Sequence, residues 1–358
     1  MRVLQIGSDR SKRGILHPHS PAIERQIAYG AAFGELDIIG FSRLSDGAAP
    51  FEASPHVRVY PTNSSSRLFY GRDAIKIARF LPRPNVVSAQ DPFEAGLAAW
   101  LIARRRNVPL HIQIHTDLLS PGYASHSFVN RLRVLIAGFV LKRAARIRVV
   151  SERTKRDMVA RFDLDVPIMV LPIFVDVEKL RSARQNTALA ARFERFRTKV
   201  LVVSRLEPEK NIGLAIRAFA EASPAGTCMI VVGEGSERVN LAALACALHV
   251  EDRVFFEGER TSSAYYKIAD LVLVPSRYEG YGLVIVEALA SGVPVISTDV
   301  GAACELGAII SNEKDFAMDL KKWFANGPRE GVLKSYPYKN FEEYVRAYCD
   351  DIVACVKR

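Results

Sequence analysis

No apolar run reaches the roughly 18 residues that a membrane-spanning helix needs. The longest candidate, Val134 to Leu141, is cut off by Lys142-Arg143. The first residues, Met1-Arg2-Val3-Leu4-Gln5-Ile6-Gly7, turn polar too early for a signal peptide and read as a strand leading into a loop. Cysteine is sparse: Cys228, Cys246, Cys304, Cys349 and Cys355 are scattered, odd in number and without C-x-x-C spacing. That excludes a small disulfide scaffold and fits a reduced cytosolic compartment. No P-loop and no G-x-S-x-G nucleophile elbow occurs. The loop from Gly7 to Gly14 lacks G-x-G-x-x-G, which argues against a dinucleotide there. Short internal repeats, low-complexity tracts and long linkers are also missing.

The chain of 358 residues is 49% apolar and 25% charged, which is globular composition, and its length suggests two domains. The net charge of +10 is unevenly placed. Residues 1–180 hold 26 Lys and Arg against 16 Asp and Glu, whereas residues 181–358 hold 23 of each. Such asymmetry suggests an anionic partner for the first half, with nucleic acid, anionic lipid and a phosphorylated substrate all qualifying. The neutral second half argues against a nucleic-acid groove there.

Strand-length apolar runs alternate with segments of helical period. Strands are predicted at 2–7, 36–41, 56–60, 85–89, 110–114 and 146–150, with helices such as 22–33, 92–106 and 127–144 between them. A second series has strands near 199–204, 227–232, 253–257, 270–274 and 293–297, with helices near 211–222, 236–248, 262–268 and 282–291. This alternation predicts two parallel-sheet α/β domains. The boundary falls within 172–198, placed at 175/176, and a last helical segment spans 336–358. In helix 211–222, Asn211 is the expected N-cap, and Ile212, Ala215, Ile216 and Phe219 form one buried stripe.

The most informative string runs from Pro275 through Ser276-Arg277-Tyr278-Glu279-Gly280-Tyr281-Gly282-Leu283 to Glu287 and Gly292. It follows a strand, so it lies at the end where open α/β sheets bind ligands. Gly280 and Gly282 allow close backbone approach, the helix start suits an anion, and Gly292 suits the helix C-terminus. Glu279 and Glu287 can accept hydrogen bonds from sugar hydroxyls, although carboxylates also simply favour a helix N-terminal region. Arg205 and Lys210, after strand 199–204, share that rim and can hold a diphosphate; pairing with Glu207 and Glu209 is the plainer alternative. Gly233-Glu234-Gly235 is a further turn on the rim, able to approach a nucleoside. In the first half, His111, Gln113 and His115 share a strand face, and His115 lies at the strand's C-terminal end beside Thr116-Asp117. Asp163-Leu164-Asp165 reads as a solvated turn, Arg104-Arg105-Arg106 as an exposed helix end, and His17-Pro18-His19 lacks further metal ligands nearby.

Taken in order, Ser204-Arg205-Leu206 through Lys210, Gly233-Glu234-Gly235, Phe255-Phe256-Glu257-Gly258, Ala269-Asp270 and the E-x7-E pair Glu279 and Glu287 resemble the retaining GT-B glycosyltransferases of glycosyltransferase family 4, the glycosyl transferases group 1. In the first half the resemblance rests on His115 in its His-Thr-Asp string, Val150-Ser151-Glu152, and Leu171-Pro172 leading to Val175-Asp176. It implies two Rossmann-like domains facing across a cleft. Residues 1–175 would hold the acceptor, with the C-terminal helix crossing back onto them, and 176–335 the nucleotide-sugar donor. Arg205 and Lys210 would bind the donor diphosphate, Glu279 the donor-sugar hydroxyls and Glu287 the ribose. The N–H groups of Tyr281, Gly282 and Leu283 would hold sugar and phosphate, Gly235 would lie near the base, and His115 would approach the donor sugar.

The expected activity is therefore a retaining hexosyl transfer from a UDP- or GDP-sugar to a glycan or lipid-linked acceptor in cell-surface polysaccharide synthesis. No essential metal or other cofactor is expected, and no nucleic acid. The location expected is cytoplasmic, peripheral at an anionic membrane surface on the inner face. A sugar-nucleotide epimerase, a glycan phosphorylase and a non-catalytic nucleotide-binding protein are the competing readings. Three departures from the family pattern stand out: Gly7-Ser8-Asp9-Arg10 in the first loop, Ile173-Phe174 before Val175-Asp176, and a single glycine in Val300-Gly301-Ala302.

Overall fold

The computed structural model describes residues 1–8, 14–120, 123 and 127–357. Asp9 and Arg10 of the first loop and the terminal Arg358 lie outside the described residues. The chain divides into two units: Met1–Pro172 joined by the segment from Asn340, and Ile173–Lys339.

The first unit is built from β1 (Arg2–Gly7), α1 (Pro21–Phe33), β2 (Glu35–Gly40), β3 (Phe51–Ser54), β4 (Val57–Pro61), α2 (Tyr70–Phe80), β5 (Val86–Ala89), α3 (Glu94–Arg106), β6 (Leu110–Ile114), α4 (Phe128–Leu141), β7 (Arg146–Val149), α5 (Glu152–Phe162) and β8 (Ile168–Val170). Its eight strands run in the order β3-β4-β2-β1-β5-β6-β7-β8. All neighbours are parallel except β3, which pairs antiparallel with β4 through a turn at Pro55-His56. That edge strand has no place in the expected all-parallel pattern, because its sequence Phe-Glu-Ala-Ser carries no apolar run. The central strands are buried on both faces and need continuous apolar sequence, as in Val3-Leu4 and Val86-Val87. Helix α1 begins where Ser20 accepts a hydrogen bond from the Ile23 N–H (3.2 Å) and Pro21 takes the first turn. Asp163 ends α5 in the left-handed region at φ 51°, so the Asp163-Leu164-Asp165 string is a helix cap.

The second unit contains α6 (Val177–Ser182), α7 (Thr187–Arg192), β9 (Thr198–Val203), α8 (Ile212–Ala222), β10 (Thr227–Val232), α9 (Arg238–Ala247), β11 (Val254–Gly258), α10 (Ser263–Tyr266), β12 (Leu271–Val274), α11 (Leu283–Ala290), β13 (Val295–Thr298), α12 (Ala303–Leu306), β14 (Ile309–Ser311) and α13 (Phe316–Asn326). Its six strands run β11-β10-β9-β12-β13-β14, all parallel. Strand β14, three residues long, escapes detection by hydrophobic pattern. The stripe Ile212, Ala215, Ile216 and Phe219 packs in the core with Val200, Val231 and Trp323. Asn211 does not cap α8 with its side chain. It adopts the left-handed conformation (φ 49°), and its backbone closes the preceding 3-10 turn at Pro208–Lys210. Asparagine tolerates that conformation, which the spacing alone does not distinguish from a cap.

The chain then returns to the first unit as α14 (Phe341–Val353), shorter than the expected 336–358. Asn340 caps it by accepting from the Glu343 N–H at 2.9 Å. Tyr336 and Tyr338 precede the helix, and the Tyr336 hydroxyl donates to the Val175 carbonyl within the second unit (3.1 Å).

Candidate active site

The second sheet changes direction of growth at β9, with β10 on one side and β12 on the other. A ligand crevice is expected outside the carboxyl ends of the strands at that switch point. The loops leaving β9 and β12 meet there. Lys210 donates to Glu279 Oε1 at 2.7 Å, and Ser276 Oγ donates to the same oxygen at 2.7 Å. The Arg277 N–H donates to the Glu209 carbonyl at 2.9 Å, which ties the two loops by backbone. Lys210 and Glu279 are 14% and 19% exposed at their side chains, so solvent screens this pair less than a surface pair. Arg205 is different: its side chain is 68% exposed and pairs with Glu209 (3.0 Å). The plainer alternative, a cation paired within its own loop, thus describes Arg205, while Lys210 reaches across to Glu279.

Two glycines on this rim are fixed, Gly235 by backbone proximity and Gly282 by its positive φ. A Cβ on Gly235 would lie 2.4 Å from the Leu206 carbonyl oxygen. The two loops are held together by the Leu206 N–H to Glu234 carbonyl bond (2.9 Å) and the Glu237 N–H to Leu206 carbonyl bond (2.8 Å). Glu207 accepts from Ser236 Oγ at 2.7 Å, and the Ser236 hydroxyl and N–H hold its carboxyl below the usual range. Gly282 (φ 93°) precedes α11, whose N-terminus has no side-chain cap. Its early N–H groups therefore keep the anion-seeking character of a helix start. Tyr281 is buried, and its carbonyl accepts from the Ala302 N–H (3.0 Å), joining the loops after β12 and β13. Leu283 is exposed at the helix start.

Glu287 lies one turn into α11, half-buried. It accepts from the Tyr266 hydroxyl at 2.9 Å and from Ser262 Oγ at 3.3 Å. Desolvation raises its pKa against the lowering effect of those two donors. Ser276, Ser262 and Tyr266 were not singled out from the sequence. Ser276 stands inside the quoted Pro275–Gly282 string, but nothing local marks Ser262 or Tyr266, which reach Glu287 from α10 and the residue before it.

His115 belongs to the first unit, just beyond β6 and half-buried. Desolvation lowers its pKa to about 3, and the charges of Arg148, Arg25 and His111 act in the same direction. It is therefore a neutral imidazole at neutral pH, able to donate or accept one hydrogen bond at each nitrogen. The expected shared face resolves differently. His111 and Gln113 are fully enclosed and serve α14: His111 Nε2 contacts Asp351 (3.1 Å), and Gln113 donates to the Tyr348 hydroxyl (2.8 Å). Arg148 donates to Gln113 Oε1 (3.0 Å), the Leu171 carbonyl (3.1 Å) and the Tyr344 hydroxyl (3.1 Å). One cation of the basic first half is thus interior and unavailable to an anionic partner.

The chain matches the family model described as "Glycosyltransferase Family 4" over residues 34–179 and that described as "Glycosyl transferases group 1" over residues 191–327. It is 28% identical over 248 residues to a 2-deoxystreptamine glucosyltransferase of Streptomyces kanamyceticus, covering 65% of this chain and 64% of that protein. It is 33% identical over 233 residues to a D-inositol 3-phosphate glycosyltransferase of Salinispora tropica, covering 58% and 48%. The matches thus take in less than two-thirds of these relatives' own length. The structure of Anabaena Alr3699/HepE in complex with UDP and glucose superimposes with a TM-score of 0.71 at 19% identity, covering 100% of this chain and 97% of that one, which is a likeness of fold. With two parallel α/β units and matches to both family models, the chain has the GT-B fold and belongs to the glycosyltransferase family 4, group 1 type.

Proposed function

We propose that the protein transfers a hexose from a nucleoside diphosphate sugar, with uridine or guanosine as base, to a glycan or lipid-linked acceptor used in cell-surface polysaccharide synthesis. The observation that carries this reading is the Lys210–Glu279–Ser276 cluster at the switch point, flanked by Gly235 and by the uncapped start of α11. The ligands named for the HepE structure favour testing uridine nucleotides first.

Departure of the nucleoside diphosphate builds negative charge. Lys210 and the first N–H groups of α11 stabilise it without reorganisation, and Arg205 joins them by turning from Glu209. No metal ion is then required to hold the diphosphate, because these cations take that role. Glu279 keeps Lys210 oriented and offers its second oxygen to donor-sugar hydroxyls. Glu287, held by Tyr266 and Ser262, accepts from the ribose hydroxyls. The C1–O bond to the diphosphate breaks as the acceptor oxygen bonds to C1 on the same face, and the acceptor proton passes to the leaving phosphate oxygen. His115, being neutral, positions the donor sugar by hydrogen bonding and takes no proton. The protein works at the inner face of the membrane, where its basic first unit meets anionic lipid.

The test is calorimetric titration and thermal melting with UDP, GDP, ADP and their sugars, in EDTA and with magnesium. A ligand at 100 times its dissociation constant stabilises by about 2.7 kcal/mol. A shift with one nucleotide family in EDTA names the base and supports metal-free binding. No shift with any of them overturns the donor-site assignment. Turnover of a sugar nucleotide without an acceptor would instead indicate an epimerase, and a requirement for inorganic phosphate a phosphorylase.

A further inference from the structure

The first unit contains an apolar groove of about 780 Å³ between α2, α3 and α4, floored by Ile75, Leu97, Ala98, Leu101 and Ile136. That is the size of a small-molecule site, roughly 300–1,000 Å³. Its rim is basic: of six lining cations, Arg72 and Lys76 pair with Asp73 and Arg133 with Glu94, while Arg67, Arg79 and Arg105 add further positive charge. Of its apolar lining Leu68 and Val129 remain exposed, and Phe128, Leu132 and Leu135 are exposed elsewhere on α4. A second, polar space of about 240 Å³ adjoins it, lined by Ser8, Phe41 and Asp91 together with Arg67, Tyr70, Glu94 and Arg133, which line the groove as well. It sits at the carboxyl ends of β1 and β5. One of the four residues common to both spaces is telling. Tyr70 is 8% exposed, and its buried hydroxyl has no hydrogen-bond partner among the described residues. A buried hydroxyl left unpaired is costly, so it points to an absent polar ligand.

We propose that the groove seats the hydrocarbon chain of a membrane lipid whose phosphate head is held at the rim by arginines and the Tyr70 hydroxyl, the polar space receiving the hydroxylated group next to that phosphate. Arginine forks match phosphate oxygens, and the excess of cations selects an anionic head over a neutral one. The exposed apolar residues of the lining and of α4 fit the bilayer from which the chain is drawn. That this lipid is the acceptor rests on the transferase reading; that the groove binds it does not.

The probe is dodecyl phosphate below its critical micelle concentration, titrated calorimetrically into the full chain, against butyl phosphate and dodecyl maltoside. Dodecyl phosphate should bind at least about ten-fold more tightly than either control, and decyl phosphate about ten-fold more weakly, as two lost methylenes imply. A Cβ on Gly71 would meet only the Ala98 side chain, at 3.8 Å. Gly71→Leu should therefore fill the groove and weaken binding at least about ten-fold. Tyr70→Phe should weaken binding of the phosphate without lowering the melting temperature, since it removes an unpaired buried hydroxyl. Should Gly71→Leu fail to fold, Tyr70→Phe and Arg105→Ala carry the test. Equal binding of dodecyl maltoside, no dependence on chain length, or undiminished binding in folded variants overturns the proposal. UDP titration of the same samples separates the two readings: dodecyl phosphate without UDP binding leaves the groove and sinks the transferase, and the converse sinks only the groove.

Discussion

Glu279 carries two contacts on one oxygen, from Lys210 and Ser276. Removing it strands a lysine that is 14% exposed. In Glu279→Ala we expect kcat to fall by about 10²–10³, the size of a lost transition-state donor or its orienter. Nucleotide affinity should change far less; Lys210→Ala should weaken nucleotide binding as well as kcat. Steady-state kinetics with a nucleotide titration checks this, and an unchanged kcat in a folded Glu279→Ala removes the residue from the site. His115 makes a separate prediction. Its folded pKa, lowered to about 3 by desolvation, lies below the unfolded value of about 6.5. Its contribution to stability is therefore complete above pH about 6.5 and lost as the pH falls toward 3. Proton NMR should show its imidazole neutral at pH 5, and His115→Gln should flatten the stability profile across that window. An imidazole midpoint near pH 6.5 contradicts the burial.

At the scale of elements, the rim is assembled by turns whose glycines have no space for a side chain. Gly235→Ala forces its Cβ against the Leu206 carbonyl at 2.4 Å, where backbone on both sides must move. We expect a loss of stability of about 1–3 kcal/mol, as for overpacking, together with weaker nucleotide binding. Chemical denaturation and calorimetry measure the two effects, and a variant unaltered in both would show that the turn is free of the Leu206 backbone. The loops after β12 and β13 are joined likewise: Gly301 (φ 52°) lies against the Tyr281 carbonyl. The single glycine of Val300-Gly301-Ala302 is thus kept where the backbone demands it. The E-x7-E string and the Ser204–Lys210 string were legible in the sequence because each is local and follows a strand. The partners of Glu287 were not, since Tyr266 and Ser262 lie more than twenty residues upstream.

For the molecule as a whole, the last helix completes the first unit. Asp351 is enclosed between His111 and Arg146, and Tyr348 lies 4.3 Å from Tyr29, ring to ring. Desolvation pushes the Asp351 carboxyl up, but hydrogen bonds from His111 and Arg146 outweigh it and hold the pKa below the ordinary value. Its contribution is therefore present above the unfolded value and lost as the pH falls through the folded one. Because a buried charge partner is removed, Asp351→Ala should cost about 3–5 kcal/mol. Denaturant unfolding of parent and variant measures this, and an unchanged midpoint would mean that α14 is held by its aromatic contacts alone.

The sequence by itself determined the alternation of strands and helices, the two-unit division and the strings that form the second unit's rim. Each follows from local periodicity or from residues adjacent in the chain. Tertiary structure decided which charges meet. Lys210 pairs with Glu279 across 69 residues while Arg205 stays with Glu209, and His111 is joined to Asp351 across 240. It also decided that Arg148 is interior and that Tyr70 lies where two spaces adjoin. Pairing and burial depend on distances between segments remote in the chain, and no spacing along the sequence encodes those distances.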